Sequence, residues 1–438
     1  MSKVDEPAEP SERFPGTDAP TTAAAASKAA LAVAPELVAE SLGEYVRVWL
    51  TRIRGGETGV LPVVAGLLLV SILFESLNSH FLEARNLVNL LVQGSAYMLL
   101  AMGEIFALLL GEIDLSIGFV SGIGGIVMAE LLKVQYGWPW WAAIAAALIS
   151  CAAIGALQGT IITRVGLPSF VVTLGGLLFW QGMMLVLLGT GGALPINDNI
   201  VNDIASGGVL TPAAGWIIMI VVVGLFALIS WRRDARRRAE GLVAPPPILT
   251  FMKIMVALGA GIVLLLLCNT DRGIIVPIRG VPWVVLIVFG VLTLWTFVLG
   301  RTKFGRYMYA VGGSPEAARR AGVSLAKIRT LAFMFGSFTA GIGGIVYASR
   351  LRSVSTALDG GTLVLYSVAA AVIGGTSLFG GRGKAVHAVL GGLVIAAIDN
   401  GMGLVGFSAA SKYMVTAIVL LAAVTIDAVA RRGRTVGV

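Results

Sequence analysis

Charge is scarce in this sequence. Only 13% of its 438 residues are Asp, Glu, Lys or Arg, against roughly 25% in a soluble globular domain. So few charges cannot cover a water-facing surface, and a soluble fold is excluded. Cysteine and histidine are nearly missing, with two of each. Cys151 and Cys268 both lie inside apolar runs, which fits buried thiols and leaves neither a disulfide framework nor a metal-ligand set. No H-E-x-x-H or G-x-S-x-G occurs, and no nucleophile, base and orienting group can be assembled. GGRGK at 380–384 is not a phosphate-binding loop, because Leu378 stands where its first glycine belongs and Ala385 where it needs Ser or Thr.

Apolar length is what the sequence has. Hydrophobic residues make up 57% of the chain, and its mean hydropathy is +0.89. Repeated runs near 20 residues must bond their backbone internally, so they read as membrane helices. The expected fold is an all-α polytopic membrane protein of twelve spans, with ten to twelve as the range. The spans are placed at Gly59–Leu77, Leu87–Leu110, Leu115–Leu132, Trp138–Thr163, Ser169–Leu188, Pro212–Ser230, Ile248–Leu267, Trp283–Leu299, Ile328–Ala348, Leu363–Phe379, Ala385–Leu404 and Tyr413–Val429. Trp138, Trp140 and Trp141 form an interfacial belt. Residues 1–40, rich in Ala, Pro, Glu, Ser and Thr, read as a disordered cytoplasmic tail, and 41–58 as an amphipathic juxtamembrane segment, with a short helix at Pro35–Trp49. Residues 59–430 form the transmembrane domain, with a cytoplasmic linker at 231–247 and a polar loop at 301–329, and 431–438 is a basic tail.

The net charge of +8 is a topology signal rather than one for nucleic acid. With both termini inside, the inner loops hold Arg47, Arg52, Arg54, Arg164, the Arg232–Arg238 run, the Arg301–Arg329 cluster, Arg382, Lys384, Arg431, Arg432 and Arg434. The outer loops hold Arg85, Lys133, Arg272, Arg279, Arg350, Arg352 and Lys412, about a threefold deficit. That asymmetry is the positive-inside pattern.

Two stretches interrupt the apolar pattern with intent. In 301–329, Ser314 is a helix N-cap, Pro315 suits the first helical position and Glu316 sits in the first turn. Ala317 and Ala318 propagate a helix, Arg319 and Arg320 fall in its last turn, and Gly322 is placed to end it. Ser324 then caps the next helix. The segment reads either as an ordinary cytoplasmic loop or as a knob that receives motion from another protein. The second stretch is GEIDLSIG at 111–118. Glu112 and Asp114 stand between two apolar runs, with Glu104 upstream, and carboxylates near membrane depth line a cavity or take a partner. Gly111, Ser116 and Gly118 permit an irregular backbone, as in discontinuous helices. A tight turn with Asp114 capping the third span is the competing reading. Further polar residues within spans are Gln158, Thr173, Gln181, Tyr366, Asp399 and Asn400, suited to an uncharged hydroxylated ligand or to interhelical bonding.

With these stretches on the page, the chain resembles the membrane permease subunit of a bacterial ABC importer for monosaccharides, of the ribose/xylose/galactose group and most like xylose-type permeases. The matching blocks are GEIDLSIGFVSG (111–122), GLPSFVVTLGGLLFWQG (166–182), GRYMYAVGGSPEAARRAGVSLAKIR (305–329), AAVIGGTSLFGGRGK (370–384) and DNGMGLVG (399–406). The resemblance implies a multi-pass protein of the bacterial inner membrane, without catalytic residues or metal. It implies a homodimer of permeases on an ATP-binding subunit that carries the ATP and Mg, so this chain binds no cofactor. It also implies an extracytoplasmic sugar-binding protein, and makes Gly313–Gly322 the coupling helix. Glu112, Asp114, Ser116, Gln181, Tyr366, Asp399 and Asn400 are the expected substrate pathway. Such permeases often have asparagine where Ser314 stands and a second amide where Asp399 stands. The rival expectation is a proton-coupled secondary sugar transporter using Glu104, Glu112 and Asp114 as a relay.

Overall fold

Backbone amides in hydrocarbon have no water to bond, so each apolar run closes into a helix. The computed structural model describes residues 42–54, 60–242, 244–273, 276–356 and 358–435. The expected tail at 1–40 lies outside them, as does the end of the basic tail at 436–438. In chain order the elements are α1 (Leu42–Arg54), α2 (Leu61–Leu77), α3 (Ala84–Leu109), α4 (Ile117–Leu131), α5 (Trp140–Thr160), α6 (Ser169–Leu188), β1 (Ala193–Pro195), α7 (Asn199–Asp203) and α8 (Pro212–Ala239). There follow α9 (Pro247–Asn269), α10 (Trp283–Arg301), α11 (Lys303–Gly313), α12 (Pro315–Arg320), α13 (Leu325–Leu351), β2 (Ser353–Ser355), α14 (Gly360–Ile373), α15 (Ala385–Val405) and α16 (Ala409–Thr435). Among the described residues, α3, α5, α6, α8, α9, α10, α13 and α15 are long and apolar enough to cross a membrane, and α2, α4, α14 and the first part of α16 are shorter apolar helices. Each of the twelve expected spans falls on one of these helices.

The chain divides into two compact units, Thr58–Val222 with Gly259–Val438, and Met1–Glu57 with Val223–Leu258. In the larger unit α3 is the central post, packed against α10, α13, α14 and α15. Most of α3 is buried although it carries Gln93 and Glu104, so those groups must be satisfied by neighbours rather than water. α13 packs on α3, α4 and α5, and α2 packs on α15. Small residues let these backbones touch where lipid supplies no hydrophobic drive. A Cβ built on Gly344 of α13 would fall 1.9 Å from the Ser121 carbonyl oxygen of α4. α6 packs on α4 and buries Met184 and Leu188 in the same core, while its other face exposes Phe170, Leu178, Phe179 and Val186. β1 and β2 pair antiparallel, Leu194 opposite Val354. The adjoining α7 is capped by the Asp198 carboxylate, 2.9 Å from the Val201 amide. In the loop between α9 and α10, the amides of Gly273 and Ile278 hold the Asp271 carboxyl below the usual aspartate range.

The smaller unit contains α1 and the hairpin made by the end of α8 and the start of α9. Its turn is built around Asp234, which accepts from Thr250 at 2.7 Å and pairs with Arg233 at 3.0 Å. Arg238 closes the turn on the Pro245 carbonyl at 2.8 Å.

Several expectations are corrected. The linker at 231–247 is helical as far as Ala239, because arginine continues a helix well and nothing breaks it before Gly241. The tenth span ends at Ile373, not Phe379. Gly374 is pressed on the His387 carbonyl and Gly375 takes φ +105, so the chain turns there although Leu378 and Phe379 continue the apolar pattern. Residues 303–313, expected as loop, form the amphipathic α11, capped by Thr302 on the Gly305 amide at 3.2 Å. Of the surface helix expected at Pro35–Trp49, residues 35–41 lie outside the described residues, and α1 runs from Leu42 on to Arg54.

Candidate functional site

Two helices of the core are too short to cross a membrane. α4 has 15 residues and α14 has 14, about 20 Å each at 1.5 Å per residue, against about 30 Å of hydrocarbon. Their N-terminal ends abut. A Cβ on Gly118 would sit 2.0 Å from the Gly360 carbonyl oxygen, and the Phe119 ring lies on Gly360. Only glycine allows that approach.

The turn before α4 is largely buried and hydrogen-bonded, with Glu104 Oε2 and Glu112 Oε2 left without a hydrogen-bond partner among the described residues. Gly111 takes φ +75 and reverses the chain at the end of α3. The Asp114 amide donates to Glu104 Oε1 at 3.1 Å. Asp114 Oδ1 accepts from the Ser116 amide at 2.9 Å and the Ser116 hydroxyl at 2.6 Å. Gln158 of α5 donates its amide to Ser116 Oγ at 2.9 Å. Thr173 of α6 donates to the Ile113 carbonyl at 3.2 Å. Asp114 is therefore not the helix cap: the N-cap position is Ser116, and Asp114 holds that residue instead. Glu112 lies at the rim and pairs with Arg329 of α13 at 2.9 Å. A cavity of about 570 Å³ opens beside this pair, lined in part by Thr163, Pro168, Phe170 and Leu325.

A second polar group occupies the opposite half of the same core. Asp399 of α15 accepts from Gln93 at 2.5 Å and Tyr97 at 3.0 Å, both of α3, and pairs with Lys412 of α16 at 3.2 Å. The Tyr366 ring of α14 meets Tyr97 edge-on at 5.2 Å. Tyr413 reaches Asp359, the cap of α14, at 3.2 Å. Asn400, next in the chain, turns to Asn86 at 2.9 Å. Tyr366 and Asp399 thus share one site, Asn400 borders it, and Gln181 stands exposed on α6 with no hydrogen bond among the described residues. Lys412, expected in an outer loop, is instead in the first turn of α16. Gln93, Tyr97 and Lys412 escaped the sequence reading. The visible signal was Lys412 itself, a cation at the edge of an apolar run that requires a partner.

The segment expected to couple, 313–322, has the punctuation its residues dictate. Ser314 Oγ accepts from the Ala317 amide at 3.3 Å, Pro315 opens α12, and Gly322 takes φ +81 past its end. Glu316 pairs with Arg319 at 2.9 Å and Arg320 at 3.3 Å. Of α12's six residues only Ala318 is buried. Ser324 caps α13 on the Lys327 amide at 3.4 Å. Both flanks are anchored to the turn at the end of α3. Gly312 lies against the Leu109 carbonyl, and Arg329 holds Glu112. The Gly380–Gly381 pair, with φ of +82 and +71, is a tight turn that returns the Gly381 amide to Leu109 O at 2.8 Å. GGRGK therefore has a structural use.

Helices that stop part-way across a membrane, with polar side chains tied together at that depth, define a transport protein. The comparisons supply the particular family. A model of the "Branched-chain amino acid transport system / permease component" family matches residues 86–424, and the chain belongs to that family of multi-pass membrane permeases. It is 34% identical to the xylose transport system permease protein XylH of Escherichia coli (strain K12), over 85% of this chain and 92% of that protein. It is 29% identical to the ribose import permease protein RbsC of the same strain, over 83% and 92%. It is 27% identical to that strain's D-allose transport system permease protein AlsC, over 82% and 89%. No solved structure gives a significant match.

Proposed function

We propose that this chain is the non-catalytic membrane permease of an ATP-driven importer that carries a monosaccharide, xylose or a related pentose, from a binding protein to the cytoplasm. The observation that carries the reading is α12, a self-capped helix that turns five of its six residues outward. Such a helix is built to be gripped. The sequence carries no phosphate-binding motif, so in this reading ATP and Mg belong to a separate ATP-binding subunit docked there. A second permease copy completes the path.

Motion of α12 reaches the membrane through two short links, Gly312 on Leu109 and Arg329 on Glu112. Both end on the turn that holds the start of α4. Displacing that turn changes the gap where α4 and α14 abut, which is the element alternating access requires. Xylose, ribose and D-allose, which the relatives' names carry, are all hydroxyl-rich rings. The outer cluster offers the matching chemistry: one carboxylate (Asp399), an amide (Gln93), two tyrosines and one ammonium. The proton-relay alternative is not favoured: Glu112 pairs with Arg329 and Asp114 holds Ser116, which leaves Glu104, with its unpartnered Oε2, without a second free carboxylate to pass a proton to.

The test is the assembled complex with its ATP-binding and sugar-binding partners. Glu316→Arg or Ala317→Asp abolishes sugar-stimulated ATPase while the permease still inserts. Full stimulation in either variant removes the docking role of α12.

A further inference from the structure

The end of α8 carries more positive charge than its position needs. After the apolar run and the exposed Trp231, the helix continues through Arg232, Arg233, Arg236, Arg237 and Arg238. Two of these have defined partners. Arg233 pairs with the buried Asp234, and Arg238 is bound to the Pro245 carbonyl. Arg232, Arg236 and Arg237 make no ion pair or hydrogen bond among the described residues. Their spacing makes this unfavourable for the helix itself. Residues 232 and 236, and 233 and 237, are one turn apart, and like charges at that spacing destabilise a helix. A stripe of arginine on one face invites counter-charge from outside the chain.

The space beside the stripe has a matching shape. A cavity of about 1030 Å³ is lined by Arg232, Arg233, Arg236 and Arg237, with Glu240 as the one carboxylate and Ile229 and Leu242 as apolar wall. With Arg233 committed to Asp234, three guanidinium groups against one carboxylate leave a net charge of two. Guanidinium grips phosphate oxygens bidentately. The apolar wall continues the exposed face of α8 formed by Phe226, Leu228 and Ile229, which a free anion would not use and a lipid tail would. The indole of Trp231 marks the membrane–water boundary between the two.

We propose that the basic end of α8 is a binding site for the phosphate headgroup of an anionic phospholipid in the inner leaflet. The headgroup phosphate sits between the arginine pairs and the glycerol and chains run along Ile229 toward the membrane. This neutralises the stripe and fixes the α8–α9 hairpin to the bilayer surface. The inference stands apart from the transport reading, since it uses none of the residues of that site.

The experiment titrates the purified full-length permease with phosphatidylglycerol or phosphatidylcholine and reads bound lipid by native mass spectrometry. Wild type retains phosphatidylglycerol over phosphatidylcholine. The Arg232→Gln/Arg236→Gln/Arg237→Gln variant loses that preference by on the order of a hundredfold, as three juxtamembrane charges imply. Arg232→Lys/Arg236→Lys/Arg237→Lys keeps the inward charge and the topology, and it retains most of the preference. Equal phosphatidylglycerol retention by wild type and the glutamine variant overturns the proposal. So does displacement of the lipid by millimolar inorganic phosphate, which would make the site one for a free anion.

Discussion

At the scale of single residues, the sites are governed by who satisfies whom. Asp399 is held by Gln93, Tyr97 and Lys412, and Lys412 keeps only 26% of its side chain exposed. Removing one member of such a pair leaves an uncompensated charge. Asp399→Leu is expected to destabilise the permease by on the order of 3 kcal/mol, and adding Lys412→Met should recover at least half of that. Tryptophan fluorescence during thermal unfolding in detergent reads both variants, and a single mutant as stable as wild type would dissolve the pair. Capping was legible in the sequence, because Ser314, Pro315, Glu316 and Gly322 act through neighbours in the chain. The Asp399–Lys412 and Glu112–Arg329 pairs were not legible: Asp399 and Lys412 stand on successive helices and Glu112 and Arg329 are far apart in sequence, and each looks like an ordinary end-of-span charge.

At the scale of elements, two contacts carry the account. Gly118 and Gly360 bring the ends of α4 and α14 together, and any side chain there must force the backbones apart. Gly118→Val should cost about 3 kcal/mol or more, and it should be recovered from membranes in lower yield than Gly66→Val, a position with open space around it. The Arg329–Glu112 pair ties α13, just after the coupling helix, to the turn before α4. Either charge reversal alone should cut transport at least tenfold while basal ATPase persists, and the double swap Glu112→Arg/Arg329→Glu should restore at least half. Swap and single variants with equal transport would mean the pair passes on no motion. Element boundaries were readable where punctuation is local: α6 runs over Ser169–Leu188 as expected. They were misread where composition and backbone disagree. α11 mixes charge and apolar groups at helical spacing and so resembled a loop, and α14 stops at glycines inside a run that stays apolar.

At the scale of the whole molecule, the central claim is that this polypeptide moves its ligand but draws the energy from elsewhere. Its long apolar helices and its family membership make it a membrane permease, and the exposed α12 gives a partner something to push. The most direct measurement is uptake of radiolabelled xylose, with ribose and allose as comparisons, into sealed liposomes. The permease is reconstituted with and without its ATP-binding and sugar-binding partners. The account predicts accumulation only when both partners and ATP are present, and none from the permease alone under a proton gradient. Concentration of the sugar by the permease alone would contradict it.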